Sequence, residues 1–224
     1  IFSKQASFTW KDLEVTLLDT PGHVDFAAEM ERTLQVLDYA VLIISGADGV
    51  QGHTLTLWRL LERYQVPVFL FINKMDQPGT EADALLAELR KSLDERCVSF
   101  MRQNGDEAAF YENIAVCDEE LLERYLYLEE VQDHPGGRKN QPPISAEEIG
   151  KLTAGRKLFP CFFGSALRGD GVEALLDGLY DYARRPSYGE DFGARVFKIT
   201  RDSQGVRLTH VKVTGGSLKV KQMI

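Results

Sequence analysis

Two short apolar runs, Val41–Ser45 (VLIIS) and Val66–Asn73 (VPVFLFIN), most constrain what this chain can fold into. Neither alternates polar with apolar residues, so each reads as a strand buried on both faces, the pattern of a parallel sheet covered by helices. Leu158–Ser165 (LFPCFFGS) is a third such run, although Pro160 brings no N–H to a central ladder. Between them, Phe26–Leu37, Thr54–Tyr64, Glu81–Leu93, Asp118–Leu128 and Val172–Tyr182 carry apolar residues at three- and four-residue spacing and predict the covering helices. Strands alternating with helices define an α/β fold with a parallel sheet. Ahead of them, Ala6–Trp10 and Glu14–Asp19 predict a hairpin that turns at Lys11–Asp12.

The texture changes at Arg184–Phe192 (RRPSYGEDF), which reads as a linker. Beyond it, RVFKIT, VRLTHVKVT and SLKV alternate in period two and predict antiparallel β-structure. So short a segment does not make a stable β-domain by itself. The expected organisation is a domain over 1–186, followed by a linker and the first strands of a second over 187–224. Glu129–Ile144, with His-Pro-Gly-Gly and Pro-Pro, is expected to be a surface loop.

Composition narrows the functional classes. No apolar run approaches the roughly 20 residues that a membrane-spanning helix needs. A net charge of −8 argues against nonspecific coating of nucleic acid, DNA included, but permits a local basic patch. The three cysteines, Cys97, Cys117 and Cys161, form no C-x-x-C pair, which suits reduced thiols in a cytoplasm. The four histidines show no metal-ligand spacing, and His53, at the start of a predicted helix, is expected at the surface. With no initiator Met and no leader at Ile1, the chain is expected to lack the front of its domain.

Three strand ends carry candidate chemistry. The first is Asp19-Thr20-Pro21-Gly22-His23. An aspartate at the carboxyl end of a strand can hold Mg²⁺ through water beside a triphosphate. Gly22 lets a backbone N–H approach a γ-phosphate, and His23 can orient or polarise an attacking water. The second is Asn73-Lys74-Met75-Asp76. A carboxylate at Asp76 accepts two hydrogen bonds from guanine N1–H and N2–H, whereas adenine has no donor at N1. Asn73 can bond near N7, and the Lys74 stem can lie along the base. The third is Gly164-Ser165-Ala166-Leu167, where small residues let a backbone N–H reach guanine O6. Any one of the three occurs by chance; their order, each at the end of a predicted strand, points to GTP. The phosphate-binding pattern G-x-x-x-x-G-K-[ST] does not occur in these residues.

LLDTPGHVDFAAEMERTLQVLDYAVLIISGADGVQGHT resembles elongation factor G and its relatives. LIISGADGVQGHT and FINKMDQPGTE are most similar to the ribosomal-protection proteins of tetracycline resistance. EELLERYLYL and FFGSALRGDGVEALLDGL also fit, with similar wording in release factor 3. The tail GARVFKITRDSQGVRLTHVKVTGGSLKV resembles the opening strands of the β-barrel second domain of these factors. Glu129–Lys157 matches least.

The resemblance implies a P-loop GTPase-type sheet, truncated ahead of its phosphate loop, whose first strand would lie between Glu14–Asp19 and Val41–Ser45. It implies a GTP/GDP site with Mg²⁺ formed by Asp19, Thr20, Pro21, Gly22, His23, Asn73, Lys74, Met75, Asp76, Ser165, Ala166 and Leu167. In that family the matching histidine is the catalytic one. The expected parent is a monomeric cytoplasmic GTPase that works on the ribosome, of the tetracycline-resistance type; an elongation factor G or release factor 3 role is the alternative. A non-hydrolysing ribosome-binding module is disfavoured by the intact D-T-P-G-H. A signalling GTPase is disfavoured by the β-rich tail and by the long stretch between Asn73 and Ser165. Residues 1–224 are expected to be inactive by themselves, for want of a phosphate loop.

Overall fold

A computed structural model describes residues 4–20, 27–101, 107–132 and 142–221. The chain divides into two compact units, one of residues 1–38 and 185–224, the other of residues 39–184.

The second unit holds the parallel sheet. Its strands β3 (Ala40–Ser45), β4 (Val68–Asn73), β5 (Cys97–Ser99) and β6 (Phe159–Phe163) lie in the order β3-β4-β6-β5. Val41 pairs with Phe69 and Ser45 with Asn73, while Leu70 pairs with Cys161 and Ile72 with Phe163. Val68 to Ile72 and Phe159 to Phe162 all lie in the core, as unbroken apolar runs predict. On one face Phe69, Phe71, Val98 and Phe162 join Phe100, Phe110, Ile114, Ile149 and Tyr182 in a single apolar cluster. The Phe100 ring meets Phe110 edge-on at 5.1 Å and Tyr182 at 5.2 Å. Elsewhere Trp58 meets Phe159 at 4.7 Å. The Arg156 guanidinium lies 5.2 Å from both of those rings and donates to the carbonyl of Val66. A cation so placed is shielded from water but compensated by ring faces and a carbonyl.

Helices α2 (Gly52–Arg63), α3 (Ala82–Ser92), α5 (Glu119–Gln132) and α7 (Val172–Tyr182) fall where periodicity predicts them. Residues 129–132, expected as loop, continue α5, because Glu-Glu-Val-Gln has no helix breaker before Pro135. Three elements are additional: α4 (Glu107–Ala115), α6 (Ala146–Ala154) and the three-residue strand β5. α6 begins with a reciprocal cap, in which the Ser145 hydroxyl accepts from Glu148 N–H and the Glu148 carboxylate accepts from Ser145 N–H at 2.8 Å. Pro160 is tolerated inside β6, opposite Val98 of the short β5.

No described residue pairs with the outer edge of β3, where Ile43 is 64% exposed.

The first unit holds the hairpin β1 (Lys4–Trp10) and β2 (Leu13–Asp19), the helix α1 (Ala27–Leu34), and the antiparallel ribbon β7 (Gly193–Arg201) and β8 (Arg207–Gly215). The hairpin turns at Lys11–Asp12 as predicted, with Lys11 at φ 53°. The turn after α1 is tied to the ribbon by three side chains. Lys212 Nζ donates to Val36 O at 2.9 Å and pairs with Asp38, Tyr188 Oη donates to Asp38, and Arg195 donates to Gln35 O. Arg185, in the segment read as a linker, forms an exposed ion pair with Asp12 at 2.9 Å.

The cysteines, dispersed in sequence, converge in space. Cys97 and Cys161 lie fully buried on neighbouring strands, and all three thiols are free. Burial pushes the Cys117 thiol up to about 12, so it stays protonated and unreactive.

Partial burial raises the Glu148 carboxyl, but hydrogen bonds from Arg124 and Ser145 outweigh it and hold the group at about 2. A carboxyl depressed on folding contributes stability that is full above its unfolded value near 4.5 and is lost as pH falls toward 2. Glu148→Gln is therefore expected to flatten the acid limb of stability between those limits, read by urea unfolding at stepped pH. An unchanged limb would remove this cap from the acid response.

Candidate functional site

The ends of β3, β4 and β6 are cross-linked beyond the regular ladder. Gly46 N–H donates to Asn73 O at 2.7 Å, Gly164 N–H to Ile72 O at 2.9 Å, and Met75 N–H to Gly164 O at 3.0 Å. Asn73, the last residue of β4, then does a second job with its side chain. Its Oδ1 accepts from Lys74 N–H at 2.8 Å and from Ala166 N–H at 2.9 Å. That amide thus clips the turn after β4 to the turn after β6.

The structure brings Asn73, Lys74, Met75, Asp76, Ser165, Ala166 and Leu167 to this one edge. Lys74 takes φ 64°, which reverses the chain and leaves its side chain exposed. Thr80 Oγ1 closes the following turn by donating toward Met75 O at 2.9 Å and Gln77 O at 2.8 Å. Ser165 is 2% exposed, and its hydroxyl bonds the Asp76 carboxylate. That bond is the largest influence on Asp76; with the Asp76 backbone and the Arg168 charge it holds the carboxyl below its ordinary value, against the effect of desolvation. Arg168 Nε lies 3.5 Å from Asp76 Oδ2. Leu167 is 93% exposed beside them.

The loop that presents Ser165 and Arg168 is built on glycine. A Cβ at Gly164 would fall 2.0 Å from Asp170 O, and one at Gly171, where φ is +74°, would fall 2.3 Å from Phe163 O. Ser165 N–H donates to Asp170 O across this crossing at 3.0 Å. Only residues without side chains let the two strands of backbone approach so closely.

Two expectations change in detail. Of the backbone N–H groups in the Gly164–Leu167 turn, one of which is expected to reach a base, Ala166 N–H is bonded to Asn73; the Leu167 N–H makes no hydrogen bond among the described residues. His53, expected at the surface, is half-buried on α2 one turn before Leu57, with both ring nitrogens enclosed and no partner among the described residues. The Ser45 hydroxyl is enclosed in the same way. Sequence reasoning also missed Arg168, which directly follows Leu167, and Glu88, whose carboxylate accepts from Val50 N–H at 2.9 Å to hold the loop after β3. Glu88 left no local signal, since it acts from a different helix.

In the first unit, Asp19 ends β2 opposite Lys4 with its side chain exposed, and Thr20 follows half-buried. Pro21, Gly22 and His23 lie outside the described residues. Among the described residues no cluster of His, Cys, Asp or Glu forms a ready-made metal site, and no helix is long and apolar enough to cross a membrane.

Comparison with known proteins gives this geometry a family. Residues 1–185 match the family described as the Elongation factor Tu GTP binding domain, and the chain belongs to it. The chain is 31% identical to tetracycline resistance protein TetP of Clostridium perfringens, over 100% of its own length and 36% of that protein. It is 30% identical to TetO of Streptococcus mutans, over 97% of this chain and 34% of the relative. It is likewise 30% identical to the mitochondrial ribosome-releasing factor 2 of Culex quinquefasciatus, over 98% and 35%. The chain thus spans about a third of the length of these curated relatives. A solved protein of Thermus thermophilus shares the fold, with a TM-score of 0.79 at 23% identity over 97% of this chain and 38% of its own. The parallel sheet is the GTPase-type core, and β7–β8 is the start of the antiparallel β-barrel that follows it.

The glycine crossing generates a prediction. Gly164→Ala is expected to lower stability by more than about 2 kcal/mol, because backbone rather than a movable side chain meets the new Cβ. Thermal unfolding that matches the unsubstituted protein would show that the loop can open at little cost.

Proposed function

We propose that the intact protein binds GTP and hydrolyses it on the ribosome, as a factor of the ribosomal-protection tetracycline-resistance type. The observation that carries the nucleotide reading is Asp76, an ionised carboxylate gripped by the buried Ser165 at the carboxyl edge of the sheet. Asp76 is acceptor-only, so it pairs with the two adjacent donors of guanine and rejects adenine. Asn73 has committed its oxygen to the two turns, which leaves its NH₂ for guanine N7. The Leu167 N–H serves O6, and the Lys74 stem covers the base.

In this reading residues 1–186 form the nucleotide-binding domain and 187–224 open the second domain. Mg²⁺, when bound, neutralises phosphate charge; Asp19, an exposed hard oxygen donor at a strand end, is the residue suited to hold it through water. Gly22 offers its N–H to the γ-phosphate. His23 orients the attacking water and acts only in the transition state. The 224 residues alone do not turn GTP over, since no phosphate-binding loop is among them.

The ribosome is the proposed partner because one relative of this chain is named a ribosome-releasing factor, and because Lys198 and Arg207 add basic charge to the β7–β8 ribbon of an otherwise acidic chain, beside the Arg195 and Lys212 that bond the turn after α1. Such a ribbon suits RNA phosphates. The protein acts as a monomer in the cytoplasm.

Two substitutions test the reading in the intact protein. Asp76→Asn replaces an acceptor by a donor, and is expected to cost on the order of 2–4 kcal/mol of GTP affinity while xanthine nucleotides gain. Unchanged GTP titration would remove the base pocket. His23→Ala is expected to spare GTP binding and abolish most ribosome-stimulated phosphate release. Normal turnover in that variant would make His23 a turn residue only.

A further inference from the structure

We propose that Arg168 is a positioning residue for guanine recognition, a second grip on the Asp76 carboxylate that acts beside Ser165. The inference rests on reading Asp76 as the guanine acceptor, and it gives a role to the cation that the geometry sets against that group.

The placement of Arg168 is built into the loop. Its own N–H donates to Ser165 O at 3.0 Å, and the Ser165–Asp170 backbone bond closes the turn around it. The crossing at Gly164 and Gly171 leaves this turn little freedom, because each glycine lies against backbone of the other arm. Arg168 therefore reaches Asp76 from a fixed base rather than from a loose loop. Its side chain is 63% exposed while that of Asp76 is 20% exposed, so the Arg168 end of the pair is the more open to water.

That arrangement has consequences for base recognition. Pairing with guanine needs a carboxylate that is ionised and held in one orientation, because both oxygens must meet donors at once. A carboxylate held by Ser165 alone keeps rotational freedom that binding must remove. A cation at Oδ2 restricts that freedom and favours the ionised form. Because the Arg168 end of the pair is exposed, its contribution is modest and screened by salt. The effect requires charge at position 76. With an amide there, Arg168 has no anion to hold.

The test is a cycle in the intact protein, with dissociation constants from titration of fluorescent nucleoside diphosphates. Arg168→Ala is expected to weaken GDP binding roughly two- to five-fold at low salt, with the gap narrowing as salt rises. Arg168→Lys is expected to recover most of the loss, and Arg168→Gln, which keeps the stem, to recover none. In the Asp76→Asn background, probed with xanthosine diphosphate, Arg168→Ala is expected to change nothing. Equal losses in both backgrounds would assign Arg168 to the shape of the loop and overturn the proposal. GDP binding by Arg168→Ala at the unsubstituted level would overturn it as well. Asp76→Asn retaining full GDP affinity would instead be a failure of the pocket reading itself, separable from either result.

Discussion

Strand β4 is bonded on both sides, to β3 along its whole length and to β6 over Leu70–Ile72, and everything at the candidate site hangs from that. A parallel strand so placed has both faces covered, and its residues Val68 to Ile72 are almost wholly withdrawn from water. The resulting register puts Ser45, Asn73 and Phe163 at one edge of the sheet. From there the Asn73 side chain carries the pairing one step past the last strand residue, to Ala166 N–H. An amide can do this because one carbonyl oxygen accepts two N–H donors. A side chain that looks like a ligand contact in sequence is thus first a clip between turns. Its two tasks are compatible, since the oxygen and the NH₂ point to different partners.

The turn after β6 shows how a rigid support is made without a core. Gly164 and Gly171 permit backbone to cross backbone at distances that any Cβ would forbid. The gain is a short loop whose Ser165 is buried and whose Arg168 is presented outward. The first unit uses charge for the same end. Lys212 and Tyr188 converge on Asp38, while Lys212 and Arg195 bond carbonyls of the turn after α1. The turn after α1 is therefore anchored to the β7–β8 ribbon.

Much of this was legible in the amino-acid order. Unbroken apolar runs announced β3, β4 and β6, and spacing announced α2, α3 and α7, because burial on both faces and on one stripe leave different periods. The hairpin at Lys11–Asp12 was legible for the same reason. β5 was not, as three residues carry no period. α6 could have been read from Ser145 and Glu148, which stand at capping-box spacing, but it directly follows the segment whose Pro and Gly content suggested loop. α4 has a weak apolar stripe, being apolar on several sides, with Phe110, Ile114 and Ala115 all buried.

Residue order alone decided the fold class, the strand ends and the identity of the groups gathered there, since N-K-M-D and G-S-A-L are local strings at the ends of apolar runs. It could not decide which atoms those groups would spend on each other. That Asn73 Oδ1 is consumed by Ala166 N–H, that Ser165 and Arg168 both reach Asp76, that Glu88 holds Val50, and that His53 is enclosed all follow from contacts between residues far apart in the chain. Such contacts depend on strand order and register, which are set by how the whole sheet packs and not by any window of sequence.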